Sequence, residues 1–150
     1  MRIYLDTNVF GAYPSYMAWH ENHALNLFAR IRAGHYRLVT SIEVEKELLK
    51  APVSVQDLFV ELMVMGEWAH VGREATYLRD AYLSAGVVTP NHRADAFHVA
   101  IATVARCDAL ATWNASDFVN KMDDYNNVNI LRGYDIIQIQ TPDVVLQLFP

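Results

Sequence analysis

Residues 1–13 read MRIYLDTNVFGAY. An apolar run of Ile3, Tyr4 and Leu5 ends on Asp6, with Thr7 and Asn8 behind it. β-Branched and aromatic residues bounded by turn formers predict a strand over 2–6. Two explanations fit the polar residues that close it. Asp and Asn favour any chain reversal. Alternatively, Asp6 is a carboxylate at the C-terminal end of a buried strand, the edge where open α/β sheets hold their ligands. The rest of the chain decides between them, by supplying parallel strands and partners for Asp6.

Strands and helices alternate outward from this start. A loop with Gly11 and Pro14 precedes a helix from about 20 to 33, in which Ala24, Leu27, Phe28 and Ile31 fall at helical spacing before Gly34. YRLVTS (36–41) reads as a second strand. Thr40 and Glu43 have the spacing of a capping box for a helix through Lys50, which stops before Pro52. VQDLFVELMVM (55–65) is a further helix, EWAHVG (67–72) a short strand, and REATYLRDAYLSA (73–85) a helix closed by Gly86. After a loop, RADAFHVAIATVAR (93–106) is an Ala-rich helix leading into a buried strand, DALATW (108–113). VNKMDDYNNVN (119–129) reads as less ordered. DIIQIQ (135–140) is a last strand, and PDVVLQLF (142–149) a last helix with Pro142 near its first turn. This alternation predicts an α/β fold with a mostly parallel sheet and helices on both faces.

The composition bounds the answer. At 150 residues, 53% hydrophobic and 19% charged, the chain predicts one globular domain over 1–150. No apolar run approaches a bilayer span, and Asp6 interrupts the only early apolar segment that could serve as a signal peptide. Cys107 is the single cysteine, so a reducing, cytoplasmic setting is expected. A net charge of −5 excludes a protein that coats nucleic acid by charge alone. It leaves room for an enzyme whose carboxylates hold cations that reverse the local sign.

Four acids are placed to meet. Asp6 follows the first strand and Asp117 follows DALATW, so a parallel sheet sets both on one edge. Glu47 shares a helical face with Val44, Leu48 and Ala51, and this register turns it inward, whereas Glu45 points elsewhere. Asp95 lies in the first turn of its helix on a face with Val99 and Ala102. Taken singly, Glu47 reads as an amphipathic edge residue and Asp95 as a helix-dipole partner. Together they form a cluster that cannot stay ionised without positive charge. Oxygen ligands suit Mg²⁺ or Mn²⁺ better than zinc, and such a centre suits phosphodiester hydrolysis. His98, one turn after Asp95, could orient a carboxylate or sit packed in the core.

Other signals are weaker. HENH (20–23) is too short for H-E-x-x-H, which leaves His20 and His23 as surface residues. There is no Gly-rich phosphate loop, and Asn8 stands where a D-x-D phosphatase motif needs its second acid. Trp19 with Tyr13 and Tyr16 could stack bases, although packing is the plainer reading. Arg73, Arg79, His92 and Arg93 are candidates to rim a phosphate-binding cleft, Arg93 and His92 foremost because they adjoin Asp95.

In YLDTNVFGAY, RLVTSIEVEKELLKAP, RADAFHVAIATVARCDALATWN and NASDFVN, the chain resembles the PIN-domain family, which includes the toxins of VapBC-type toxin–antitoxin pairs. The resemblance spans nearly the whole chain. It implies a three-layer α/β/α sandwich and Mg²⁺- or Mn²⁺-dependent ribonuclease activity on single-stranded RNA. It maps the family's acids onto Asp6, Glu47 and Asp95, with Thr7 or Asn8 helping to hold metal waters. The fourth position falls on Asn114 or Asp117. An RNA substrate, a cognate antitoxin and a second copy of the chain are the partners it raises. The competing reading is a non-catalytic PIN-like module that binds RNA or protein. A small-molecule phosphohydrolase is a weaker third.

Overall fold

A computed structural model describes residues 1–11 and 18–150; the readings made on Tyr13, Pro14 and Tyr16 lie outside the described residues. In chain order the elements are β1 (Arg2–Leu5), α1 (Thr7–Phe10), α2 (Ala18–Arg32), β2 (Arg37–Thr40), α3 (Ile42–Leu48), α4 (Val53–Leu62), β3 (Glu67–Trp68), α5 (Arg73–Ser84), α6 (Arg93–Val104), β4 (Ala109–Ala111), α7 (Met122–Leu131), β5 (Gln138–Gln140) and α8 (Pro142–Leu148). Short 3₁₀ turns occupy 63–65, 90–92 and 119–121.

All strand pairs are parallel, in the order β3-β2-β1-β4-β5. Successive strands step outward from β1 to β3. The chain then returns to lay β4 on the other side of β1. Right-handed crossovers therefore put the helices before and after this return on opposite faces. α2 packs on α4 and α8, while α5 packs on α6 and α7. The direction reverses between β1 and β4, and the crevice at their carboxyl ends is where such a sheet binds ligands. Central burial explains the apolar strands: Ile3, Tyr4, Leu38, Val39, Ala109, Leu110 and Ile139 are all within the core.

Several local expectations change. Thr7 and Asn8 are not a simple turn, because they open the one-turn helix α1, which Asp6 caps through its own carboxylate. The Thr40–Glu43 capping box does not form. Ser41 is the N-cap of α3, and its hydroxyl bonds Tyr4 rather than the helix amides, while Glu43 pairs with Lys46 Nζ at 3.4 Å. The stretch 119–129 is ordered. Its asparagines have low helix propensity and hide the pattern, but Tyr125, Val128 and Asn129 are buried at helical spacing in α7. Asn126 Oδ1 accepts from the Ile137 amide and its Nδ2 donates to the Ile137 carbonyl, both at 2.9 Å, tying α7 to the approach to β5. Among the described residues no helix is long and apolar enough to cross a membrane.

Candidate metal centre

Asp6 directly follows β1 and is only 7% exposed. Both of its oxygens are held. Oδ1 accepts from the Thr7 amide and Oδ2 from Thr112 Oγ1, each at 2.8 Å. Thr112 is the first residue after β4, so the two central strands meet through this contact. Asn8 reinforces it: Nδ2 donates to Thr112 Oγ1 at 3.2 Å and Oδ1 accepts from the Trp113 amide at 3.1 Å.

Glu47 approaches from α3 and His98 from α6. His98 Nε2 and Glu47 Oε1 are hydrogen-bonded, and ligand atoms of Asp6, Glu47 and His98 lie within 4.8 Å of one another. The other ring nitrogen, His98 Nδ1, is 2.7 Å from Tyr4 Oη, which is also 2.7 Å from Ser41 Oγ. A buried chain of Ser41, Tyr4 and His98 therefore ends on Glu47. The expected inward burial of Glu47 does not occur. Its side chain is 45% exposed, and Val44 and Leu48 take the buried face of α3. The carboxylate reaches the site from the rim.

Asp95 and Asp117 gather around His92 in a second group. His92 Nδ1 lies 3.2 Å from Asp95 Oδ2 and 3.5 Å from Asp117 Oδ2. The alternative between Asn114 and Asp117 takes a definite form here. Asn114 Nδ2 donates to Asp117 Oδ2, and Asn114 Oδ1 accepts from the Asp117 amide, both at 3.1 Å. Asn114 thus braces the loop that carries Asp117.

The electrostatics tie the groups together. Burial pushes the Asp6 carboxyl above its ordinary range; His98 and the bonds from Thr112 and Thr7 oppose this, and Glu47 adds to it. Burial likewise raises Asp95, with the His92 bond lowering it and the charges of Asp6 and Asp117 raising it. For Glu47 burial is outweighed by the bond and charge of His98, with a further contribution from the nearby Thr7 hydroxyl, so its pKa is lowered. His98 is raised: burial opposes its charge, but the Glu47 bond and the charges of Asp6, Glu47 and Asp95 prevail.

These donors fit a hard divalent cation. Acids whose ionisation is opposed by burial and by one another are what a cation between them would relieve. Carboxylate oxygens dominate the set, as Mg²⁺ requires, and the His92 imidazole is compatible with Mn²⁺, whereas both His98 nitrogens are taken by Tyr4 and Glu47, so His98 positions Glu47 rather than ligating. Asp6, Glu47, Asp95 and Asp117 would supply the oxygens.

The RNA-rim candidates separate. Arg93 is exposed in the first turn of α6, two residues before Asp95, whereas His92 is engaged by the two acids. Arg79 is engaged elsewhere: its guanidinium stacks on Phe97 at 4.7 Å and pairs with Asp80. Arg73 lines a surface cavity with Val104 and Ala105, at the opposite end of α6 from Asp95 and roughly 14 Å away along the helix. α5 runs back along α6, a direction that helical periodicity does not encode. Thr112, Tyr4 and Ser41 are polar residues of the site that the sequence reading missed. Their one local signal is that Thr112, like Asp6, directly follows a central strand.

No family model and no curated protein matches the chain. Among solved structures it is similar to a chain in the crystal structure of VapBC2 from Rickettsia felis bound to a DNA fragment from their promoter. The TM-score is 0.56 at 17% identity, with 94% of this chain and 98% of that chain covered. The likeness extends over the whole α/β sandwich and is one of fold, matching the PIN-like architecture that the motifs imply.

Proposed function

We propose that this PIN-like fold carries a metal-dependent endoribonuclease that hydrolyses phosphodiester bonds in single-stranded RNA. The observation that supports the reading is a pair of acidic groups, Asp6 with Glu47 and His98, and Asp95 with Asp117 and His92, near enough that the charge of Asp6 acts on Asp95. A bound Mg²⁺ or Mn²⁺ would supply an activated water and stabilise charge on the scissile phosphate. The chain's own contribution is orientation. Thr112 and the Thr7 amide fix both oxygens of Asp6, and His98, itself held by Tyr4, fixes Glu47. Asn114 fixes Asp117. Arg93 would guide the phosphate backbone from the rim.

The test is incubation of the purified chain with mixed single-stranded RNAs in Mn²⁺, with EDTA added to a parallel sample. Cleavage that EDTA stops and Asp6→Asn abolishes is expected. Intact RNA in Mn²⁺, or cleavage indifferent to both EDTA and Asp6→Asn, overturns the reading. The similar structure is described as VapBC2 on promoter DNA, and we extend the proposal to a toxin role with an antitoxin partner. A small protein encoded beside this chain should then co-purify with it and silence the cleavage.

A further inference from the structure

We infer that Trp19, His20 and Trp113 form a stacking platform for an unpaired nucleobase of single-stranded RNA, beside the carboxylate edge; the assignment rests on the nuclease reading. The rings come from the start of α2 and from the residue that follows Thr112. The His20 ring lies on Trp113 with centroids 4.1 Å apart and planes 21° from parallel. Trp19 sits 5.4 Å from Trp113 and 4.6 Å from His23.

Two features distinguish this cluster from ordinary aromatic packing. First, it is open. Trp19 is 52% exposed, whereas Phe10 with Phe28 and Tyr82 with Tyr125 are wholly buried pairs. Second, it is joined to the site: the Trp113 amide donates to Asn8, Asn8 donates to Thr112, and Thr112 donates to Asp6. A base on these rings would leave its phosphate near the acids.

The charge favours such a platform. The chain carries −5 overall, and of the four expected rim cations Arg73 lies at the far end of α6, Arg79 is engaged by Phe97 and Asp80, and His92 is held by acids. Phosphate attraction is correspondingly weak. Stacking on an aromatic face requires no cation and accepts any base. Trp68 and Tyr77 are as exposed as Trp19, but Trp68 packs against Phe59 at the end of edge strand β3 and Tyr77 stands on α5, and the bonds that run to Asp6 start at Trp113.

The experiment uses the full chain carrying Trp68→Phe, so that tryptophan fluorescence reports only Trp19 and Trp113, with EDTA present to prevent cleavage. It is titrated with an adenine-rich single-stranded RNA oligomer, the same RNA as a duplex, and an abasic ribose-phosphate oligomer of equal length. Quenching by the single strand alone is expected. Trp19→Ala should weaken binding about 5- to 100-fold, with Trp19→Phe restoring most of it. Equal binding of the abasic oligomer, or unchanged affinity in a folded Trp19→Ala variant, overturns the platform. Were RNA cleaved in Mn²⁺ while Trp19→Ala changed nothing, the platform alone would fall. Base-dependent quenching without any cleavage in Mn²⁺ would overturn the nuclease reading and leave the platform standing.

Discussion

The two acidic groups at the sheet edge are built differently. Asp6, Glu47 and His98 are oriented by bonds from distant, buried residues: Thr112, Tyr4 and, through Tyr4, Ser41. His92, Asp95 and Asp117 are half-buried, and their bonds come from within three residues, save the His92–Asp117 contact between loops. A side chain held by buried long-range bonds keeps its geometry as long as the sheet exists. One held by local loop bonds exchanges them with water. On the proposed function, the first group would set the site's shape and the second would adapt to what binds.

The largest effect that would test this contrast is Asp6→Asn. Metal-dependent cleavage should fall to background, with no loss of melting temperature without metal. The amide oxygen still accepts from Thr7, and losing a carboxylate whose charge burial opposes offsets the Thr112 bond, which the NH₂ does not replace because Thr112 Oγ1 already accepts from Asn8 and the Asn114 amide. Destabilisation on melting would show that the carboxylate is structural.

Tyr4→Phe comes next. It leaves Ser41 Oγ and His98 Nδ1 without their buried partner, costing about 1–3 kcal/mol in denaturant unfolding. It should also lower cleavage about tenfold, the size expected when a group that orients a ligand is lost. Asn114→Ala is the counterpart in the loop. Cleavage should again fall, yet stability should change by only about 1 kcal/mol, because the groups freed around Asp117 reach water. Equal stability losses in the two variants would erase the distinction between the groups.

Smaller still is the pH dependence of the metal-free chain. Asp6, Asp95 and His98 all have folded pKa values above their unfolded ones. Each then binds protons more tightly when folded, so stability is greatest at low pH within this set and declines as pH rises through the folded values. Melting temperature should fall from about pH 5 to about pH 8, less steeply in Asp6→Asn, and saturating Mn²⁺ should flatten it. The smallest effect is Glu43→Gln, whose partner Lys46 is exposed; unfolding should shift by about 0.5 kcal/mol or less, and cleavage should be unchanged. Glu47→Gln, by contrast, should impair cleavage.

What the sequence determined by itself is the frame. Strand period, helix spacing and turn residues are local signals, and they were sufficient for the alternation of strands and helices and for Asp6 and Asp117 following β1 and β4. Local signals failed where propensity and burial disagree. α7 is rich in asparagine, and only the burial of Tyr125, Val128 and Asn129 makes it a helix. The tertiary structure alone decided how the acids divide, that Glu47 reaches in from the rim, that Tyr4 bonds His98, that Arg73 lies at the far end of α6, and that Arg79 is taken up by Phe97 and Asp80. Those outcomes depend on crossover direction and on which side chains meet across elements tens of residues apart. A periodicity says which face a residue occupies, but not what another part of the chain will bring against it.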